Sequence, residues 1–444
     1  MLFRGSGATN FKRALACAMY LEKSEMDFGH TKEQTQLRRD VLDFIRTHMT
    51  PEVYAELDAT EEAHEAGKGE RLSNKRGPLV TALYQKIDDR GWLGYSYPKE
   101  YGGADGDRVS QNIIEEEFQR AGLPISLVGS GAPAIMAVGT EQQKQHYLPK
   151  LIKMEYSFAL GFTEPHAGAD LAALRCRAIR DGDHFVINGQ KMYTTSAHHA
   201  THMYLMARTD PDAGRHDGIS IFLFPMDTPG LTVRPLWTIQ NNPRAPRGTT
   251  YGDARTNEVF FENVRIHESC LLGRENQGWR VGSMGLNLDR VGAARYLRSV
   301  RRDEDIVNWV KSNDFGGYAP KNNPAIRDKI AEMWIEAQVC RLMTMRSMSI
   351  VERGGNFTYE GSAEKVWSPE HGVRTTEAIT QMLGSYGTLL NGSPHAVEKG
   401  VFAHNTMGAF QSGINHGSVQ IMRDQVAKRG LELPSMRRAK APAK

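Results

Sequence analysis

Cysteine is scarce in this 444-residue chain, and the scarcity narrows its chemistry. Cys17, Cys176, Cys270 and Cys340 stand far apart and form no C-x-x-C pair. A zinc ribbon and a disulfide framework are thereby excluded, and a reducing cytoplasm is the expected compartment. No run of about 18 apolar residues occurs, so no membrane-spanning helix is expected. Excess charge of one sign is also lacking. Lys and Arg number 55 against 52 Asp and Glu, a net charge of +3 that is too mild to call for a nucleic-acid partner. The 43 glycines and 19 prolines follow no period, which excludes a collagen-like or low-complexity chain. G-x-G-x-x-G, P-loop and G-x-S-x-G motifs are missing, so the usual dinucleotide, NTPase and hydrolase readings have no support.

What is present is a soluble globular composition, 40% hydrophobic and 24% charged, with enough apolar surface to offset chain entropy. The period of the apolar residues changes twice. Over residues 26–155 it is helical: Leu37, Val41, Leu42 and Ile45 make one face of a helix across Gln34–His48. Leu79–Asp89, Ser110–Ala121 and Thr140–Ile152 read likewise. Over residues 156–275 β-rich runs take over at His202–Arg208, Gly218–Pro225 and Val259–Ile266. Asn188-Gly189, between His184–Ile187 and Lys191–Tyr193, predicts a hairpin with a type I′ turn. Strands that follow one another without helices predict an antiparallel sandwich or barrel. Over residues 276–430 helices return, with Ile330, Met333, Trp334, Ala337 and Cys340 as one stripe, and with Thr375–Leu383 and Val419–Lys428 as further segments. Residues 1–25, with Arg4, Lys12 and Arg13 and no acid before Glu22, read as a leader or disordered extension. Residues 431–444 read as a basic, solvated tail. The expected class is α+β: an N-terminal helical domain, a middle antiparallel β domain and a C-terminal helical bundle.

Three histidines, His198, His199 and His202, invite a test for zinc, but no neighbouring cysteine completes a set, and a polar strand end explains them without metal. Two other segments are more informative. Gly161-Phe162-Thr163-Glu164-Pro165-His166-Ala167-Gly168-Ala169-Asp170 reads as a strand ending in a turn. About thirty residues on, Asn188-Gly189-Gln190-Lys191-Met192-Tyr193-Thr194-Thr195-Ser196-Ala197 puts an aromatic two residues before a hydroxyl. On a strand, Tyr193 and Thr195 share a face. A flat ring system could stack on the first and accept a hydrogen bond from the second.

Together these segments resemble the acyl-CoA dehydrogenase family of flavoproteins. Other pieces fall in the family's order: Gly91-Trp92-Leu93-Gly94, Tyr101-Gly102-Gly103, Gly139-Thr140-Glu141, Val259 to Ile266, Gly278-Trp279, and Gln381 to Gly387. The resemblance covers about residues 26–430. It implies bound FAD, an acyl-CoA substrate oxidised to its 2,3-enoyl-CoA, and electron-transfer flavoprotein as acceptor. A homo-oligomer, or a hetero-oligomer with a related subunit, is implied as well. By position, Phe162 and Thr163 correspond to residues holding the polar edge of the flavin ring, and Tyr193 and Thr195 to the aromatic-x-Thr stacking pair. Gln381 corresponds to a glutamine that reaches the FAD of a neighbouring subunit, and Ser418 and Gln420 to residues near the adenosine half. Hydroxyls and amides at helix starts also serve as caps.

The departures concern the base that removes the α-proton. The family's usual Glu, just before the Gly-Thr of the last helix, is replaced by His416 in Asn415-His416-Gly417-Ser418. A minority of the family carries an acid just before an Arg on the first C-terminal helix, and there this chain has Asp289-Arg290. Asp289 and His416 are thus the candidate bases, and a base supplied by a partner chain is the third possibility. A pyrophosphate-binding Arg is missing before Phe315-Gly316, where Lys311 is the nearest cation, and a Ser that commonly contacts CoA is Ala169. These losses leave open a non-redox or oxidase relative on the same fold, or a non-catalytic subunit.

Overall fold

The computed structural model describes residues 30–65, 76–123, 125, 131–239, 256–288, 291–313, 320–352, 355, 358–390 and 392–434. The segment 1–25, most of the basic tail and the candidate base Asp289 lie outside the described residues.

Among the described residues six α-helices come first: α1 (Lys32–His48), α2 (Pro51–Glu65), α3 (Pro78–Asp88), α4 (Arg108–Arg120), α5 (Ala132–Val138) and α6 (Glu141–Ile152). Two of them start at reciprocal caps. The Thr31 hydroxyl accepts from Gln34 N–H while the Gln34 side chain accepts from Thr31 N–H, and Thr140 and Gln143 repeat the arrangement at α6. Gln143 also donates to the carbonyls of Ser269 (3.0 Å) and Leu271 (2.9 Å), which ties α6 to the chain leaving the sheet. The apolar faces of α1, α3 and α4 meet in one core around Val41, Ile87, Ile114 and Phe118. Helices α2 and α5 were not legible as periodic segments.

The sheet contains β1 (Phe158–Gly161), β2 (Arg177–Asp181), β3 (His184–Thr195), β4 (His202–Arg208), β5 (Ile219–Pro225), β6 (Leu231–Pro235) and β7 (Thr256–His267). Its order is β1-β4-β2-β3-β7-β6, with β5 paired to β4. Two corrections follow. The sheet is mixed rather than wholly antiparallel, because β4 pairs in parallel with both β1 and β2. The β2–β3 unit intervenes between β1 and β4 and makes the long crossover that parallel pairing needs. Second, Asn188-Gly189 is not a hairpin turn. β3 runs unbroken through it, flanked by β2 and β7, and the β2–β3 turn lies at Gly182 (φ +62°). The dipeptide serves packing instead. Asn188 exchanges side-chain hydrogen bonds with Asn263 across a bulge, and a Cβ on Gly189 (φ +150°) would lie 2.8 Å from Cys176 Cα.

The chain then returns to helix: α7 (Gly278–Leu288), α8 (Ala293–Ser312), α9 (Pro324–Glu352), α10 (Glu360–Leu383), α11 (Val401–Ala409) and α12 (Val419–Gln425), which ends in a wider turn, Val426–Gly430. The expected stripe on α9 buries Met333, Ala337 and Cys340. The α+β class is therefore the one observed. No helix among the described residues is long and apolar enough to cross a membrane.

The two helical regions meet on α4, buried from Ser110 to Arg120 although it carries Glu115-Glu116-Glu117. Arg38 of α1 reaches Glu116 at 3.2 Å and Glu117 at 2.7 Å, and Arg341 of α9 reaches Glu116 at 3.1 Å. Burial alone would raise the Glu116 pKa, but Arg341, Arg38 and Arg120 outweigh it and hold it at about 2.

Candidate flavin site

The two informative segments are joined through the protein interior. Lys191, completely buried, lies in phase with Phe185 and Ile187 on the inward face of β3. Its Nζ donates to the Phe162 carbonyl at 2.9 Å and to Glu164 Oε1 at 2.7 Å. Met192 N–H donates to the Thr163 carbonyl at 2.9 Å. Glu164, also buried, accepts further from the backbone N–H groups of Arg175 (2.7 Å) and Cys176 (2.9 Å). A buried ion pair is stable only when its remaining valences are met in this way. Burial pushes the neighbouring Cys176 thiol up to about 11, so it stays protonated at neutral pH.

Immediately beyond Lys191 the strand bulges. Lys191 pairs with Val259 but Thr194 with Asn257, so Met192 and Tyr193 together oppose Glu258. The bulge turns Tyr193 left-handed (φ +56°) and leaves its ring 60% exposed. Thr194 points inward and is buried, and Thr195 is exposed, so Tyr193 and Thr195 do share the outer face.

FAD needs a flat apolar surface for its ring and donors for its polar edge. Tyr193 supplies the first. The hydroxyls of Thr163 and Thr195, and the Thr163 N–H, have no partner among the described residues and can supply the second. The residues fit the cofactor. Phe162 packs edge-on against Tyr204, with centroids 5.6 Å apart, and both line a small apolar recess with Gly131, Pro133, Ala134 and Leu160.

The remaining candidates lie on the C-terminal helices. Gln381 is exposed near the end of α10. Ser418 caps α12, its hydroxyl accepting from Ile421 N–H at 3.4 Å, and Gln420 is exposed in the first turn. His416 is half-buried and left-handed (φ +52°), followed by Gly417 (φ +94°). The turn before it is gripped from behind by buried Lys365 of α10, which donates to the Ser412 carbonyl and, at 3.3 Å, to Asn415 Oδ1. Hydrogen bonds thus draw Phe162 and Thr163 to the strand bearing Tyr193 and Thr195, whereas His416, Ser418 and Gln381 are organised around α10.

The three histidines divide. His198 and His199 lie with ring centroids 3.8 Å apart and planes tilted by 43° after β3, whereas His202 enters β4 among Tyr147, Tyr156 and Phe158. Burial, aided by His146 and Lys150, lowers His202 to about 4. Among the described residues no group of His, Cys, Asp and Glu is arranged to hold a metal ion.

Fold and site define the class, an FAD-dependent oxidoreductase. The chain belongs to the acyl-CoA dehydrogenase family: that family's N-terminal, middle and C-terminal domains match residues 31–155, 159–264 and 276–431. It is 29% identical to acyl-CoA dehydrogenase FadE29 of Mycobacterium tuberculosis over 414 residues, 92% of this chain and 99% of that one. Among solved structures, the Tcur3481-Tcur3483 steroid ACAD shares 30% identity and a TM-score of 0.74, covering 93% of this chain and 100% of that one. The ChsE4-ChsE5 complex from Mycobacterium tuberculosis shares 28% identity and a TM-score of 0.75, with the same coverage.

Lys191 and Glu164 stand inside the two informative segments without being distinguished there, and Asn257 lies outside every segment that carries the resemblance. A signal existed for the first: a lysine in inward phase with Phe185 and Ile187 must find an acid.

Proposed function

We propose that this chain catalyses the FAD-dependent oxidation of an acyl-CoA thioester to its 2,3-enoyl-CoA and passes the electrons to an electron-transfer flavoprotein. The observation that carries this reading is the bridge from Lys191 to Phe162 and Glu164, which fixes the Thr163 donors beside the Tyr193–Thr195 platform. When bound, FAD supplies the hydride acceptor for the β-carbon. Tyr193 offers its exposed face for stacking, and Thr163 and Thr195 donate to polar atoms at the ring's edge. Asp289 is the first candidate to take the α-proton, and His416, available as a neutral imidazole, is the second. Gln381, Ser418 and Gln420 are assigned to the outer parts of the cofactor. The working units are taken as residues 26–155, 156–275 and 276–430.

We further infer that the chain works with a related subunit on a bulky, steroid-derived thioester. The relatives named as two-chain assemblies, one of them a steroid ACAD, support this. So do the exposed apolar residues around His416, with Phe410 52% and Ile414 65% exposed. His416 in place of a carboxylate supports a second reading, a non-redox or oxidase relative that binds the thioester without reducing its flavin.

The test is to purify the full chain alone and co-expressed with a neighbouring related chain, add FAD, and mix anaerobically with a panel of acyl-CoA thioesters. Bleaching of the flavin by steroid-derived thioesters is the expected result. Protein that stays colourless in both preparations overturns the proposal, and bound thioester without bleaching favours the second reading.

A further inference from the structure

Asn257 lies on β7 directly opposite Thr194, the first paired and inward residue after the bulge, and is only 1% exposed. Its Nδ2 donates to the Thr194 carbonyl at 3.2 Å and also meets His198 Nδ1 at 3.0 Å. One amide therefore spans the end of the strand and the turn that follows. Two residues beside this span are strained: Tyr193 (φ +56°) and Ser196 (φ +57°) both adopt the left-handed conformation. Neither is Gly, Asn or Asp, the residues that visit that region readily. Strain of this kind persists only where surrounding contacts over-determine it. On the N-terminal side of the bulge the holding contact is Lys191, and on the C-terminal side it is Asn257.

We propose that Asn257 is a positioning residue for the ring platform: through Thr194 and His198 it holds the strained bulge that turns Tyr193 and Thr195 outward. The inference rests on the reading of that platform as the flavin site. Asn257 itself touches no cofactor. Without its amide, the Thr194 carbonyl and the 196–199 turn lose their common tether, and Tyr193 relaxes toward ordinary strand geometry, with its ring no longer in register with the Thr195 hydroxyl.

A matched control exists on the same two strands. Asn188 and Asn263 also bridge β3 to β7, but midway along the ladder, at a separate register shift on the other side of Lys191. The experiment compares Asn257→Ala with Asn188→Ala in the full-length chain, co-expressed with its partner if FAD uptake requires one. FAD affinity, the band shape of the bound flavin, and amide hydrogen exchange over residues 192–198 of the FAD-free protein are measured. Loss of a bridging hydrogen-bond pair is expected to weaken FAD by about tenfold in Asn257→Ala. The same variant should alter the flavin band and speed exchange over 192–198, while Asn188→Ala leaves all three unchanged. Equal and unchanged FAD affinity and exchange in both variants overturns the positioning role. Should Asn257→Ala fail to fold, His198→Ala removes the far end of the tether from a half-exposed position, and wild-type affinity and exchange there overturn it as well. Wild-type protein that takes up no FAD in any preparation, yet shows the exchange difference, defeats the flavin reading and leaves Asn257 only as an anchor of the bulge.

Discussion

The sheet-borne and helix-borne parts of the site are built differently. Phe162, Thr163, Tyr193 and Thr195 are fixed from inside the protein, by Lys191 with no exposed surface and Asn257 with almost none. His416 stands on a turn between short helices, gripped from behind by Lys365 but half-open to its surroundings. If the platform holds the flavin ring as proposed, that task rests on the sheet interior, where a change of one side chain disturbs the core. On the proposed assignment, proton transfer falls to positions outside that interior, such as the half-buried turn of His416. On the proposed reading, that contrast lets the platform segments stay fixed while His416 occupies a position that tolerates change.

The largest expected effect would break the contrast at its chemical end. If Asp289 is the base, Asp289→Asn lowers the rate of flavin reduction by about 10²–10⁴-fold while FAD remains bound. Rapid-mixing absorbance checks this, and the same loss in His416→Ala with Asp289→Asn unaffected reverses the assignment. At the structural end, Lys191→Met strands the Glu164 carboxylate in the interior, and a loss of about 3–5 kcal/mol is expected by denaturant titration. Replacing both residues with Met should recover only part of that stability, because the Arg175 and Cys176 N–H groups lose their acceptor, and not the FAD affinity, because the Phe162 carbonyl has lost its donor.

A third prediction concerns Asp303, which lies in α8 outside either part. It is 1% exposed, and neither carboxylate oxygen has a hydrogen-bond partner among the described residues. Burial, against the pull of Arg302 and with Glu304, Glu336 and Asp305 nearby, pushes its pKa from 3.8 up to about 8. The folded carboxyl keeps its proton to higher pH than the unfolded one, so stability falls as pH rises from about 4 to 8. Asp303→Asn removes that slope, and should exceed wild type by several kcal/mol at pH 8 and by little at pH 4. Thermal melts across this range test it, and parallel curves would refute it. The smallest effect is on Thr194, whose buried hydroxyl has no partner among the described residues. Thr194→Val keeps its shape and is expected to stabilise the chain by about 1 kcal/mol without changing FAD affinity.

Much of the fold was legible wherever one periodic signal ran long enough. Leu37, Val41 and Ile45 located α1 to within two residues, and His202–Arg208 is β4 as read. Short or compositionally mixed elements were not legible: α5 is a single apolar run behind Pro133, and β2 has one buried residue, Ala178. Asn188-Gly189 misled because local turn preference was overridden by pairing on both sides of β3. That Tyr193 and Thr195 share a face was legible from strand alternation; that the face is the outer one was not. The bulge that displays them was not, since it depends on Asn257, more than sixty residues away in sequence.

The acids of α4 carry a consequence for synthesis. Glu116 is neutralised by Arg38, made early, and by Arg341, which follows it by 225 positions. At roughly 5–20 residues per second, the ribosome adds that second arginine on the order of ten to fifty seconds after Glu116 emerges. Through that interval the nascent N-terminal helices must leave part of α4 hydrated. A chain stopped short of α9 lacks the Arg341 partner of Glu116, so this part of the join between the two helical regions is completed only late in synthesis.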